Sequence, residues 1–493
     1  MIRRSTAAAI TLAATLVIVM AAAVAACTSS GRQSQASSGP PTSTATPAAS
    51  GGAPPSSASA PAVSSPATSS AAPPAAVWPT YHHDAARTGA AANAKPVTKL
   101  TVVASAKLDG AIYASPLVLR DAQGPLIVAA TENNSIYALR DDGTVVWQRH
   151  VGAPVDGESL PCGNIDPSGI TGSPAYDPSS GLIFAVAFLT GRHHELVAVD
   201  ASTGKVVWSK LVDPPGSHPE VQQQRSALLV SGGRVWVAYG GLFGDCGPYH
   251  GYVMSVPTTG QGSPSIYRVP SSREAGIWTP AGPAANSSGH IFVSVGNGAQ
   301  TNPKAEYDMS DSVIEFDQNL KPVSFFAPST WAQENARDLD LGTTGPVLLP
   351  GAQVFVAGKA GNAYLLRQGN LGGIGGDVPS IALCKAFGGA AYADNTVYVP
   401  CANGIRALRV NGATMTPLWQ AKPAGSPVVG GGAVLSVDAE SGTLHALDAA
   451  SGATKAKVSL GDSTTRFATP ALGDDGHAYV GTAHGRLVIV ATS

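Results

Sequence analysis

Charge is scarce in this chain: Asp, Glu, Lys and Arg make up only 13% of its 493 residues. With 30 basic against 32 acidic residues there is no basic excess, so no electrostatic face for nucleic acid is implied. Reactive-site motifs are missing as well. No Cys-x-x-Cys or His-x-x-x-His spacing offers a zinc site, and His82-His83, His193-His194 and His250 stand in turn-like stretches without ligand spacing. There is no Cys-x-x-Cys-His for haem attachment and no Gly-x-Ser-x-Gly hydrolase elbow. Gly430-Gly431-Gly432 is followed by neither Lys nor a helical pattern, which removes a phosphate loop. What the chain has instead is glycine, 56 residues of it. Abundant glycine with little charge suits a turn-rich all-β protein and argues against long surface helices.

The organising stretch is Leu182 to Trp208, LIFAVAFLTGRHHELVAVDASTGKVVW. Apolar, β-branched runs alternate with turn residues, which reads as three strands and two turns. At its corner, Asp200 can accept backbone N–H groups in an Asx-turn and Gly204 can take the positive φ that reverses the chain. Ile127 to Trp147 and Val434 to Thr454 repeat the unit, with Asp141 and Gly143 and with Asp448 and Gly452 at their corners. Weaker copies run through Val235 to Gly260, Ile291 to Phe325, Val354 to Gln368 and Ile405 to Trp419. A small residue followed by proline leads into each innermost strand: Ser115-Pro116, Ser173-Pro174, Gly282-Pro283, Gly345-Pro346, Ser426-Pro427 and Thr469-Pro470. Arg225-Ser226-Ala227 and Gly388-Gly389-Ala390 are degenerate forms. A lone sheet of this kind cannot bury both faces, so the copies must stack on one another. Eight units of roughly 35 to 65 residues each fit an eight-bladed β-propeller. Seven blades is the alternative, should the unit from Leu383 to Trp419 merge with a neighbour.

The first 27 residues are expected to be a signal segment: Arg3 and Arg4, then the apolar Ala7 to Ala23, then Val24-Ala25-Ala26-Cys27, a lipobox whose Cys27 would be lipidated. Either cleavage there or retention as an anchor exports the remainder to the outer face of a bacterial membrane. Residues 28 to 77 are nearly all Ser, Ala, Pro, Thr and Gly, a composition that cannot bury a core and predicts a disordered tether with a reach on the order of 100 Å at most. Trp78 to Gly89 breaks that composition and is expected to lie against the propeller of residues 78 to 493. Leu100 to Leu108 is a strand without nearby partners, and the last apolar run, Leu487 to Val490, leaves the final unit one strand short of a blade. The early strand is therefore expected to complete the last blade and close the ring, removing open edges. Four cysteines remain after Cys27, which favours two disulfides in an exported domain. Three connectivities are open. Cys384 with Cys401 across one strand-turn-strand, and Cys162 with Cys246 between loops of neighbouring blades, is the expected set.

The small-residue-proline leads together with ALRDDGTVVW and VDASTGKVVW resemble the repeats of the pyrroloquinoline-quinone (PQQ) type β-propeller superfamily. That superfamily contains quinoprotein alcohol dehydrogenases and also non-enzymatic scaffolds such as the outer-membrane assembly factor BamB, so the resemblance speaks for fold and not for one function. On the dehydrogenase side, Gly276-Ile277-Trp278-Thr279-Pro280, Gly296-Asn297-Gly298 and Ser312 to Asp317 resemble the segment holding a calcium ligand and a catalytic aspartate. The resemblance then implies Asn297 as calcium ligand and Asp308 or Asp311 as the base that takes a proton from an alcohol while hydride passes to PQQ. Asp338-Leu339-Asp340-Leu341-Gly342 is similar to a stretch of related polymer-alcohol dehydrogenases. The adjacent Cys-Cys pair typical of those enzymes is absent, and no match stands out for their glutamate ligand.

The reading favoured from sequence is accordingly a membrane-tethered lipoprotein whose propeller, BamB-like in architecture, is a monomeric binding or scaffold platform, with no cofactor and an envelope protein, peptide or glycan as partner. The alternative is a PQQ- and calcium-dependent dehydrogenase acting on an alcohol. Gly240 to Gly251, with Phe243, Tyr249 and His250 in a segment restrained by Cys246, is the candidate binding loop, and Trp278 and Trp331 are placed on the same face. Rigid aromatics among glycines suit recognition.

Overall fold

A computed structural model describes residues 72–493. The signal segment, Cys27 and the tether up to residue 71 lie outside the described residues. Thirty-six short strands form eight separate sheets, and among the described residues α-helix is confined to Trp331–Asn335. The architecture is an eight-bladed propeller. Blades 1 to 8 span 117–150, 175–211, 229–268, 284–327, 347–382, 391–421, 428–459 and 471–491. The unit from Leu383 to Trp419 holds a sheet of its own, so the seven-bladed alternative falls. Blade 8 takes its outermost strand from the other end of the chain: Thr101–Lys107 runs antiparallel to Arg486–Ala491. That seam closes the ring.

Between blades the strands bury their apolar faces against each other. Leu117 and Val128 of blade 1 meet Ile183 and Val199 of blade 2 in one cluster, and each such fully buried aliphatic side chain contributes roughly 1.5–3 kcal/mol relative to exposure. A second contact explains why the repeats carry both Trp and Gly. The Trp147 ring of blade 1 lies over Gly204 of blade 2, where a Cβ would come within 2.6 Å of the indole, and its N–H donates to the Ala201 carbonyl at 3.0 Å. Trp208 docks likewise on Gly260 with its N–H on Thr258, and Trp419 on Gly452 with its N–H on Ala449. The corner itself is the expected Asx-turn: Asp200 accepts from the Ser202 and Thr203 amides at 3.1 and 2.9 Å, and Gly204 has φ +68°. Each corner therefore serves two blades, its own turn and its neighbour's tryptophan.

Order begins before the compositional break. Ala75–Trp78, of which residues 75–77 fall in the low-complexity segment, pairs antiparallel with the innermost strand of blade 1, Leu117–Asp121. Composition cannot register this pairing, because the partner edge lies about forty residues on. Both disulfides form, Cys162 with Cys246 and Cys384 with Cys401.

Candidate binding site at the channel mouth

The innermost strands of the eight blades line a central channel whose two ends are built differently. One end is filled by residues 75–98, which touch the blades in turn. The Pro79 carbonyl accepts from the Tyr176 amide (2.8 Å), the Thr80 hydroxyl donates to Leu228 (3.1 Å), and the Ala85, Ala86, Thr88 and Gly89 carbonyls accept from Ala285, Leu348, Tyr392 and Val429 (2.7–2.9 Å). With the Ala75–Trp78 ladder on blade 1 and the Thr98 amide on Thr492 (3.0 Å), this plug bonds to every blade. Its anchor is Arg87, 1% exposed, which donates to Pro283, Thr80, Tyr81 and Leu228 at 2.8–3.0 Å. His82, stacked on Tyr81 with ring centroids 4.2 Å apart, reaches the Ala390 carbonyl at 3.1 Å. Burial away from water pushes the His82 imidazole down to about 3, so it is neutral. Gly389 admits these rings: a Cβ there would lie 2.6 Å from His82 and 2.7 Å from the Tyr81 hydroxyl.

The other end is open and carries the long connections between blades. Tyr113, Arg225, Phe387 and Phe467 each stand four residues before an innermost strand, those starting at Leu117, Leu229, Ala391 and Ala471. The shared position directs several of them to one place. The Arg225 guanidinium lies 5.0 Å from the Phe467 ring centroid; Arg466 lies 5.5 Å from the same ring and 4.7 Å from Phe387; and Trp278 meets Phe467 at 6.4 Å. Neither arginine has a salt bridge or hydrogen bond among the described residues. Beneath them Glu132 is 1% exposed, its Oε2 accepting from the Gly169 amide (2.7 Å) and the Thr171 hydroxyl (3.1 Å), while Oε1 is buried without a partner. Desolvation pushes this carboxyl up to about 7 against the opposing pull of Arg225. Between blades 6 and 7 the mouth deepens into a cleft of about 310 Å³ lined by Phe387, Pro400, Ala424, Asp438, Glu440 and Arg466, among others.

The residues singled out from sequence lie on this same loop-bearing face but are placed differently. Phe243 is 63% exposed. Tyr249 is not: its ring is buried under Gly241 and its hydroxyl donates to Asp245 at 2.6 Å. The glycines around it are packing space for the ring and not a display for it. His250 is 9% exposed, Trp278 half-buried, and Trp331 is buried edge-on against Tyr307.

Asn297 gives its backbone N–H to Asp340 at 2.9 Å. Asp308 accepts from the Ser310 amide and hydroxyl, and Asp311, wholly buried, accepts from the Leu341 amide at 2.9 Å. Burial first, then the charge of Asp340, pushes the Asp311 carboxyl well above the ordinary carboxylate range. Asp308 Oδ2 and Asp311 Oδ2 are buried without partners, as ligand oxygens would be. Among the described residues, three His, Cys, Asp or Glu ligand atoms within 4.8 Å of one another occur at Asp141, Asp475 and His477 between blades 1 and 8, not here. Asp308, Asp311 and Asp340 lie close around the Asn297 backbone, where a calcium ion would need six to eight converging oxygens.

Arg225, Arg466, Phe387, Phe467 and Glu132 were not picked out from sequence. The signal available was the position four before each innermost strand, where Arg225 appeared only as a degenerate lead.

Comparison with known proteins bears on the fold. A family profile described as outer membrane protein assembly factor BamB matches residues 132–243. No curated protein matches by sequence. Among solved structures, quinohemoprotein alcohol dehydrogenase ADHIIG from Pseudomonas putida HK5 aligns with TM-score 0.66 and 14% identity over 85% of this chain and 80% of its own. A europium-containing methanol dehydrogenase aligns with TM-score 0.64 and 14% identity over 84% and 98%. BamB from Moraxella catarrhalis aligns with TM-score 0.55 and 17% identity over 80% and 99%. The chain shares the PQQ-like propeller fold of these proteins, and identities this low carry the fold alone.

Proposed function

We propose that this PQQ-like propeller is an exported, membrane-tethered binding platform at the cell envelope, with the open channel mouth as its recognition surface. One observation carries the reading: at the loop-bearing end of the channel two guanidinium groups, without a salt bridge or hydrogen bond among the described residues, share the Phe467 ring. Unsatisfied donors held by aromatic faces suit a ligand or partner that brings acceptors. Pro73 packs at Gly181 and Pro74 accepts from the Tyr176 hydroxyl, so the described chain starts at the plugged end and leaves the loop-bearing end to a partner. Phe243, exposed on the same face in a loop tied by Cys246 to Cys162, extends the surface available to a partner.

The competing reading is a PQQ- and calcium-dependent alcohol dehydrogenase using Asn297 with Asp308 or Asp311. The buried, unpartnered Oδ2 atoms of Asp308 and Asp311 are what that reading would use. Calorimetric titration of the full chain with PQQ, with and without calcium, separates the two. No heat of binding with a folded protein is the expected result. Calcium-dependent binding that is lost in Asn297→Ala overturns the platform reading. Site-specific photocrosslinking from position 243 in envelope preparations is then expected to capture a discrete partner, whereas a crosslinker at position 207 on the outer rim is not.

A further inference from the structure

The cleft between blades 6 and 7 has a charge pattern that the platform reading leaves unexplained. Asp438 and Glu440 come from the turn between the second and third strands of blade 7, and Arg466 from the approach to blade 8, yet all three line one cavity. No salt bridge joins Arg466 to either carboxylate, and Glu440 is exposed without a hydrogen bond among the described residues. Asp438 accepts from the Ser441 amide at 3.3 Å and Arg466 lies over the Phe387 and Phe467 rings, so the opposite charges share the cleft without pairing with each other. The remaining wall is apolar: Phe387, Pro400, Ala402, Ala424 and Ala439, with Ser426 as the one neutral side-chain hydroxyl, and that oxygen already accepts from the Gly389 amide at 3.0 Å. A pyranose, with hydroxyls on every side, would find few partners here. The cavity, about 310 Å³, lies at the lower end of ordinary small-ligand pockets.

Resting on the mouth being the recognition surface, we infer that this cleft binds a small zwitterion of the α-amino-acid class with an apolar side chain. Arg466 takes the carboxylate through its planar fork, Asp438 and Glu440 take the ammonium group, and the side chain lies against Phe387 and Pro400. Arg225, 5.0 Å from the same Phe467 ring, adds positive potential at the carboxylate end.

The test is isothermal calorimetry on the full chain in detergent with L-phenylalanine and L-leucine, beside N-acetyl-L-phenylalanine, which lacks the cation, and L-phenylalaninamide, which lacks the anion. The free amino acids are expected to bind, and each blocked form to bind at least tenfold more weakly. Arg466→Gln is expected to abolish the preference over the amide, and Asp438→Asn with Glu440→Gln the preference over the acetylated form, with circular dichroism and melting unchanged. Blocked forms that bind as well as the free ones, or a folded protein that binds none of the four, overturn the inference. The crosslink from position 243 reports separately: a captured partner alongside silent calorimetry sinks the zwitterion and leaves the platform standing.

Discussion

The two ends of the channel hold the same side chain in opposite circumstances. Arg87, in the plug, spends its donors on three backbone carbonyls and a hydroxyl and sees no solvent. Arg225 and Arg466, at the mouth, spend theirs on nothing and lean on the Phe467 ring. Burial pulls the Arg87 guanidinium down to about 10, still charged at neutral pH, so the plug carries a buried cation that is hydrogen-bonded to neutral acceptors and favoured by the nearby Asp84 carboxylate. Such a group is structural: its hydrogen bonds tie the plug to blades 3 and 4. A guanidinium with free donors contributes little to the fold and keeps its binding capacity for something else. The contrast separates what closes the ring from what the ring presents.

The contrast breaks most sharply in stability. Arg87→Met leaves the carbonyls of Pro283 and Tyr81 buried and unmatched and removes one of the two donors to Leu228, and should cost about 3–5 kcal/mol in urea unfolding. A loss under 1 kcal/mol would mean the plug is dispensable.

Next comes pH, where the two ends have opposite signs. The Glu132 carboxyl at the mouth titrates near 7 when folded and near the ordinary glutamate value when unfolded, so the unfolded chain releases its proton first. Its contribution is therefore intact below about pH 4.5 and is lost as pH rises to 7, on the order of 3 kcal/mol. Glu132→Gln should remove that slope. His82 in the plug, pushed down to about 3, acts the other way: its contribution is present above pH 6.5 and is lost as pH falls towards 3. Denaturant midpoints across pH 4 to 8 for wild type, Glu132→Gln and His82→Gln resolve the two.

A smaller effect sharpens the plug. Gly389→Ala pushes a methyl into the His82 and Tyr81 rings and should cost about 1–3 kcal/mol, read as a lowered melting temperature. The smallest is the control on the mouth: Arg225→Met and Arg466→Met should each change unfolding free energy by no more than about 0.5 kcal/mol. A larger loss would place these side chains with Arg87 as structural.

Much of the fold was legible. The Asp200 and Gly204 corner, the Ser-Pro leads and the recurrence of Trp147 and Trp208 all act within or between adjacent units, so each leaves a periodic trace. The site was legible only in part. Tyr249 was read as displayed because glycine and proline surround it, and the same glycines instead make room for its ring. Asp308 and Asp311 were read by resemblance, and whether an aspartate is a base or a buried hydrogen-bond acceptor depends on solvent and neighbours that spacing does not report.

The local order of residues determined the blades, their number and the strand that seals the ring, because alternation, turn chemistry and one missing strand are properties of the chain itself. Tertiary structure alone decided the rest. Arg87 reaches carbonyls 141 and 196 residues away, and Arg225 meets Phe467 from more than two hundred residues earlier in the chain. Which arginine is buried and bonded and which is left open is settled only when eight blades bring those groups around one axis.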